Sequence, residues 1–390
     1  MDLELTDDQR LLKDSVNGLL SRRYPDVVKT RAEMAKETRG YSVAGWKEWA
    51  DQGLLGIPFS EDDGGLGQGS AEMMLVGEAI GRTLALEPFF ATVVLGGAIL
   101  RFAASAEQRA ALVPQVVSGD LTLALAHQER QSRFDLFDVA TTAKVERDGY
   151  VIEGEKMVVL NGDSAGKLIV VARTSGDRRA KDGIGLFLVD AKAPGVSIRG
   201  YATQDGRRAA DISLSSVEVG KDAVLGDPSK GLATLERTVD EAIAFLAAEA
   251  VGAMEVLNET TVEYAKTRKQ FGVTIGSFQV IQHRLVDMFT ALEQARSIAL
   301  YGTMMSADED ATERRRATHA VKVQIGKSAR LVGQDAIQLH GGIGMTEEYK
   351  ASHYFKRLTM IELAFGNTEH HLRELARMGG LIEASKTAAA

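Results

Sequence analysis

Three stretches in the second half of the chain gather residues that do chemistry. In YAKTRKQFGVTIGSFQVIQHRLVDM, Tyr264 to Met288, a helical pattern closes on Arg268, breaks at Phe271 and Gly272, and reopens with Gln279, Gln282 and His283 at helical spacing. A guanidinium binds phosphate oxygens in bidentate fashion, and a helix N-terminus adds oriented N–H groups, so the pattern suits a diphosphate. It equally describes a polar loop between two helices. In QLHGGIGMTEEY, Gln338 to Tyr349, a helix runs into Gly341, Gly342 and Gly344. One glycine suffices to cap a helix; the others serve either a further turn or the close approach of a ligand to the backbone. The third stretch, IELAFGNTEHH, Ile361 to His371, brings Glu362 and Glu369, a Gly-Asn turn and two adjacent histidines together. It reads as an active site, a cofactor clamp or the end of a helix.

Other chemistries find no anchor. The 7 histidines include no H-x-x-x-H or H-E-x-x-H pair, and His370 and His371, as helix neighbours, are expected to point away from each other, so zinc gains no support. Cys is absent, which removes disulfides, thiolate metal sites and a cysteine nucleophile. No G-x-S-x-G elbow occurs. GGLGQGS, Gly64 to Ser70, lacks the preceding strand of a dinucleotide loop, and Asp62 and Asp63 would repel phosphate. It is expected to be a plain loop, with Ser70 capping the next helix. A formal net charge of -8 argues against nucleic acid as a partner. The start MDLELTDDQRLL has no apolar signal core, and no run approaches the length of a membrane span, so a cytoplasmic location is expected. The closing EASKTAAA reads as a frayed tail.

These residues need elements to position them. The chain has 390 residues, 45% of them hydrophobic, with 39 Gly and 6 Pro, enough for two or three packed parts of an ordinary globular protein. Thr6 with Gln9 forms a capping box, and Leu11, Leu12, Val16, Leu19 and Leu20 follow on one helical face. Further helical patterns run through VAGWKEWADQGLLG, SAEMMLVGEAIGRTLALEPFFATVVLGGAILRFA and SAEQRAALVPQVVSG. Near Leu121 the period changes: GYVIEGEKMVVLNG, KLIVVART, GIGLFLVDA, GVSIRGY and ISLSSVEVG are short strand-like runs between turns, the mark of an antiparallel sheet. From Leu232 four long helical segments follow. The expected fold is α+β: an N-terminal all-helical domain over 1–120, a middle antiparallel β domain over 121–225 and a C-terminal four-helix bundle over 226–390.

The first two stretches resemble the paired signatures of the acyl-CoA dehydrogenase family, and the order helical, β, four-helix matches that family's architecture. LTDDQRLLKDSV and GLLGIPFSEDDGGLG also resemble it. Within the family, LLKDSVNGLLSRRY and FATVVLGGAIL are most similar to the small subunit of pimeloyl-CoA dehydrogenase. The resemblance implies an FAD flavoprotein that removes the α proton and β hydride of an acyl-CoA substrate, passing electrons to electron-transfer flavoprotein or a similar acceptor. It implies that Arg268, Phe271, Gln279, Gln338, Gly341, Gly342 and Gly344 reach the FAD of a neighbouring subunit in a tetramer. Asn367 and Glu369 would contact the adenine half.

The departures from the family's pattern carry their own implications. Gln128 stands where a threonine would contact the flavin pyrimidine, and Val158 and Leu160 replace the Trp and Thr beside the ring, while Glu129 and Asp135 are kept. At the turn that carries the base in many members, Phe365 stands in place of the acid. The other family position for the base, on the first bundle helix, falls on Ala242, next to Glu241. A one-residue slip rotates a helical side chain by about 100°, so Glu241 is the candidate base and a solvated helix carboxylate is its alternative. The resemblance thus implies a homomer using Glu241, a heterotetramer with a paralogous subunit that supplies the base, a base-less structural partner, or a flavin monooxygenase on the same fold.

Overall fold

The computed structural model describes residues 5–379; EASKTAAA lies outside them. The N-terminal third is helical, with α1 (Asp7–Arg23), α2 (Val27–Met34), α3 (Val43–Asp51), α4 (Ser70–Thr83), α5 (Gly97–Ala103) and α6 (Ala106–Val117). The capping box at Thr6 is present: its hydroxyl accepts from Gln9 N, while Gln9 Oε1 accepts from Thr6 N. Val16, Leu19 and Leu20 are buried, but Leu11 is 68% exposed, so the apolar stripe of α1 is narrower than its sequence implies. Ser70 is the first residue of α4 and not its cap. The long helical pattern from Ser70 to Ala103 breaks at Leu84, which sits in the left-handed region, and at Pro88. It resumes as a buried π-helical stretch, Phe90–Gly96, before α5.

The middle segment forms a seven-stranded sheet from β1 (Leu123–Ala126), β2 (Thr142–Glu146), β3 (Gly149–Leu160), β4 (Lys167–Arg173), β5 (Ile184–Asp190), β6 (Val196–Ala202) and β7 (Arg208–Gly220). Pairs β2–β3, β3–β7, β6–β7 and β4–β5 are antiparallel, as expected. β1 runs parallel to β4, and one further parallel pairing joins Thr142 to Arg173. That departs from the purely antiparallel expectation. A parallel pair needs a long crossover, and here the chain supplies one through β2 and β3 in place of a helix. One face of the sheet buries Ile152, Val159, Leu168, Phe187 and Ile212.

The C-terminal segment holds α7 (Gly231–Thr267), a two-stranded hairpin of β8 (Lys269–Gln270) and β9 (Val273–Thr274), then α8 (Gln279–Ser306), α9 (Ala311–His340), α10 (Lys350–Leu363) and α11 (Thr368–Arg377). α11 is a fifth helix beyond the expected four. The chain gathers into two compact units. A sheet unit holds Arg31–Gly69 and Leu86–Ala242. A helical unit holds, among the described residues, those up to Thr30, Ser70–Ala85 and those from Ile243 onward.

Within the helical unit α9 packs against α8, α10 and α11. α4 and α7 approach each other through reciprocal glycines: a Cβ on Gly81 would lie 2.0 Å from the Glu249 carbonyl oxygen, and one on Gly252 2.0 Å from that of Glu78. Arg357 of α10 then grips the buried Glu249 carboxylate with two bonds of 2.8 and 2.7 Å. Gly81→Ala should destabilise the protein by about 3 kcal/mol, the upper end of overpacking effects, since the clash is with backbone. Gly18→Ala on α1, where an added Cβ would meet only Arg22 Nη1 at 3.5 Å, should instead gain about 0.5–1 kcal/mol. Denaturant unfolding of the two variants checks the contrast.

Candidate functional site

In the sheet unit, β1 delivers His127, Gln128 and Glu129 against an irregularity in β3. The register of β3 with β7 shifts between Lys156 and Val159, and Val158 sits at φ 51. A β-branched residue there is a true outlier, which the surroundings must hold in place. Val158 N donates to Asp211 Oδ1 at 3.3 Å, and Asp211 is itself held by Arg199 at 2.6 Å and by the Tyr201 hydroxyl at 3.0 Å. Met157 N donates to the Gln128 carbonyl at 2.8 Å, so the structure brings Gln128 and the bulge together.

Beneath them lies a buried ion pair, Lys156 Nζ to Glu129 Oε1 at 2.5 Å. Glu129 also accepts from Ala140 N at 2.8 Å, Thr141 N at 3.1 Å and Gln131 at 2.7 Å. Burial opposes the charge on Glu129, but Lys156 and these donors outweigh it and hold the carboxyl well below its usual range. Burial also pulls the Lys156 ammonium downward, against the attraction of Glu129.

Glu241, on α7, forms an ion pair with Arg101 of α5. Arg101 and Arg237 also lie over the Phe102 ring, at 4.9 and 4.3 Å from its centroid. The candidate base is therefore already paired with a cation.

In the helical unit the first two sequence stretches meet. Tyr264, in the last turns of α7, stacks on His340 at the end of α9, with centroids 4.5 Å apart, and Tyr349 contacts both rings. His340 Nδ1 donates to the Ala336 carbonyl at 2.7 Å, while its Nε2 is buried without a hydrogen-bond partner among the described residues. Around this stack Arg268, Gln279 and Gln338 are exposed. Phe271 and Gly272 form the hairpin turn at φ 54 and 84, and Phe271 projects with 92% exposure. α8 begins at Gln279 without a side-chain cap, which leaves its first N–H groups open.

The glycines of the second stretch divide by role. A Cβ on Gly344 would meet His340 Cβ at 2.9 Å, so that glycine is explained by packing. Gly341 adopts φ 63 at the C-cap, and Gly342 has open space within 4 Å and no positive φ. Among the described residues nothing demands a glycine at Gly342. The cradle there, the unpartnered Nε2 and the cationic and amide donors fit the diphosphate and adenosine part of FAD.

At the third stretch α10 ends, Phe365 and Gly366 turn the chain at φ 57 and 120, and Asn367 caps α11 by accepting from His370 N at 2.9 Å. Glu369 is exposed and Asn367 half-buried. His370 and His371 do not point apart as expected: their rings meet edge to face at 5.1 Å, because the cap folds the first turn of α11 back on Gly366. Sequence reasoning passed over Lys322 and His319, two buried groups behind this turn. Their signal was only a polar run, RRRATHAVK, that reads as a solvated helix face.

Sequence profiles of three domains match in order: the acyl-CoA dehydrogenase N-terminal domain over 6–120, the middle domain over 124–218 and the C-terminal domain over 229–379. The probable acyl-CoA dehydrogenase YngJ of Bacillus subtilis (strain 168) is 30% identical over 382 residues, 97% of this chain and 99% of that protein. The chain belongs to the acyl-CoA dehydrogenase family. Its fold is similar to that of the ChsE4-ChsE5 complex from Mycobacterium tuberculosis, with TM-score 0.86, 25% identity and 100% of both chains covered. It is similar also to PigA with FAD and proline, with TM-score 0.88 and 25% identity over 98% of this chain and 100% of that one. As a member of the acyl-CoA dehydrogenase family the chain is an oxidoreductase of the FAD-dependent type. Among the described residues no helix is long and apolar enough to cross a membrane.

The Glu129–Lys156 pair yields a prediction for this acyl-CoA dehydrogenase fold. Lys156→Met should destabilise by about 3–5 kcal/mol, because it strands a buried carboxylate, and adding Glu129→Gln should recover part of that loss. The folded Glu129 carboxyl lies below its ordinary 4.5. Its stabilisation is therefore complete above that pH and is lost as the pH falls through the folded value. Acid unfolding of wild type should be steeper in that window than that of Glu129→Gln.

Proposed function

We propose that the chain is one subunit of an acyl-CoA dehydrogenase that binds FAD jointly with a paralogous partner, and that the partner supplies the catalytic base. In this reading an acyl-CoA loses its α proton to a carboxylate and its β hydrogen as hydride, leaving a trans-2-enoyl-CoA. FAD, when bound, supplies the hydride acceptor. Arg268, Gln279 and Gln338 would hold the diphosphate and adenosine part of a neighbouring subunit's FAD, Gly341 and Gly342 would let the backbone approach it, and Asn367 and Glu369 would face an adenine end. Gln128 and the bulge at Met157 and Val158 would carry the ring.

The observation that carries the reading is the turn after α10. The family resemblance sets Phe365 at the acid position of that turn, and Glu241 is paired with Arg101. The exposed apolar residues of the hairpin and α8, Phe271, Val280, Val286 and Phe289, support a subunit interface on that face. A tetramer with a paralogous chain follows, with electron-transfer flavoprotein or a similar acceptor as electron partner and the cytoplasm as its place. Kinship with the small subunit of pimeloyl-CoA dehydrogenase rests on wording alone, in LLKDSVNGLLSRRY and FATVVLGGAIL.

Anaerobic addition of acyl-CoA to the FAD-reconstituted chain should leave the flavin band intact, with bleaching only after a co-encoded homologue is added. Glu241→Gln should alter neither result. Bleaching by the chain alone, abolished in Glu241→Gln, would transfer the role of base to Glu241 and overturn the proposal. Arg268→Met in the assembly should raise the Kd for FAD about 10–100-fold, the worth of one charged bidentate contact.

A further inference from the structure

The turn that has lost the family's acid is nevertheless held in one shape from behind. Gly366 adopts φ 120, and a Cβ on it would lie 2.7 Å from His371 Nε2 and 2.6 Å from His370 Cδ2. The His371 ring thus fills the space beside the turn. His371 Nε2 lies 3.1 Å from the Phe365 carbonyl oxygen, and its Nδ1 lies 2.8 Å from Nδ1 of His319 on α9. Both rings are buried. Burial first of all keeps His319 neutral, down to about 3, and His371 neutral, down to about 2.

Neutral rings fix the proton order. A carbonyl oxygen only accepts, so His371 Nε2 carries the hydrogen and donates to Phe365. The Nδ1 of that ring is then a bare acceptor, and His319 Nδ1 must carry the hydrogen that it receives. Each ring is confined to one tautomer, and the chain of donors runs one way, from α9 through α11 to the turn.

Three further contacts anchor the same segment. Lys322 Nζ donates to the carbonyls of Ile361 at 2.7 Å and Glu362 at 3.0 Å. Glu362 Oε1 accepts from both N and Oγ1 of Thr368 at 3.0 Å. Gly326 of α9 leaves the room that Thr368 occupies: a Cβ there would meet Thr368 Oγ1 at 2.1 Å.

We infer that His319 and His371 are a positioning pair, a one-way hydrogen-bond relay that locks the Phe365–Asn367 turn and so presents Asn367 and Glu369 to FAD. The consequence for FAD rests on the reading of the preceding subsection; the lock itself does not. The pair acts through backbone and touches no substrate.

Replacement of His371 separates the relay from mere filling of space. A glutamine places an N–H and an oxygen at the ends of a comparable side chain and can serve both Phe365 and His319, whereas a leucine can serve neither. In His371→Leu, amide hydrogen exchange over residues 363–370 should speed up by at least about tenfold, and the Kd for FAD should rise by about the same factor, as expected when a buried acceptor loses its donor. In His371→Gln both should stay within about threefold of wild type. Wild-type exchange rates in His371→Leu, or equal loosening in His371→Gln and His371→Leu, would overturn the lock. If wild type binds no FAD, the flavin reading fails and the exchange comparison still decides the lock. If exchange changes and FAD affinity does not, the lock stands and its proposed service to FAD falls.

Discussion

A helix surrounded by other helices keeps buried polar side chains at low cost only where they find partners, and α9 satisfies that constraint beside the functional residues, with His340 Nε2 as an exception. It packs against α8, α10 and α11, and it buries His319, Lys322 and His340 along its length. Lys322 takes two backbone carbonyls at the end of α10, and His319 takes a ring nitrogen of α11. His340 gives one nitrogen to its own helix and leaves the other beside the stack with Tyr264. Both the glycine cradle after α9 and the turn before α11 are therefore set by one element. A small shift of α9 would displace both.

The sheet unit answers a similar constraint with opposite charges. Lys156 and Glu129 are buried together, and the pair ties the strand end carrying Gln128 to the bulge carrying Val158. Removing one partner would leave an uncompensated charge in the interior, which is far worse than removing both. The strain at Val158 is tolerated because Asp211, gripped by Arg199 and Tyr201, secures its N–H. Elsewhere in the unit Glu241, the carboxylate suggested as a base, forms an ion pair with Arg101.

Features set by neighbours in sequence were legible in advance. The capping box at Thr6, the change of period near Leu121 and the glycine-rich end of α9 all depend on contiguous residues. The meeting of Tyr264 with His340 was not legible, because it depends on how α7 packs against α9. The parallel pairing of β1 with β4 was hidden for a related reason: a buried strand reads the same in either direction. His319 and Lys322 sit in a polar run whose burial follows only from the placement of α10 and α11. Gly344 was read with Gly341 and Gly342 as part of a ligand cradle, yet its neighbours show a packing role. Asn367, which the family resemblance sets with Glu369 at the adenine half of FAD, also serves as the cap of α11.

The central claim is that this chain keeps the family's turn and cofactor cradle but depends on another chain for the base. Native mass spectrometry of the assembly purified from its own cells tests that most directly. The account predicts a tetramer containing this chain, a paralogue of different mass and bound FAD. A tetramer of this chain alone, carrying one FAD per subunit, would contradict it.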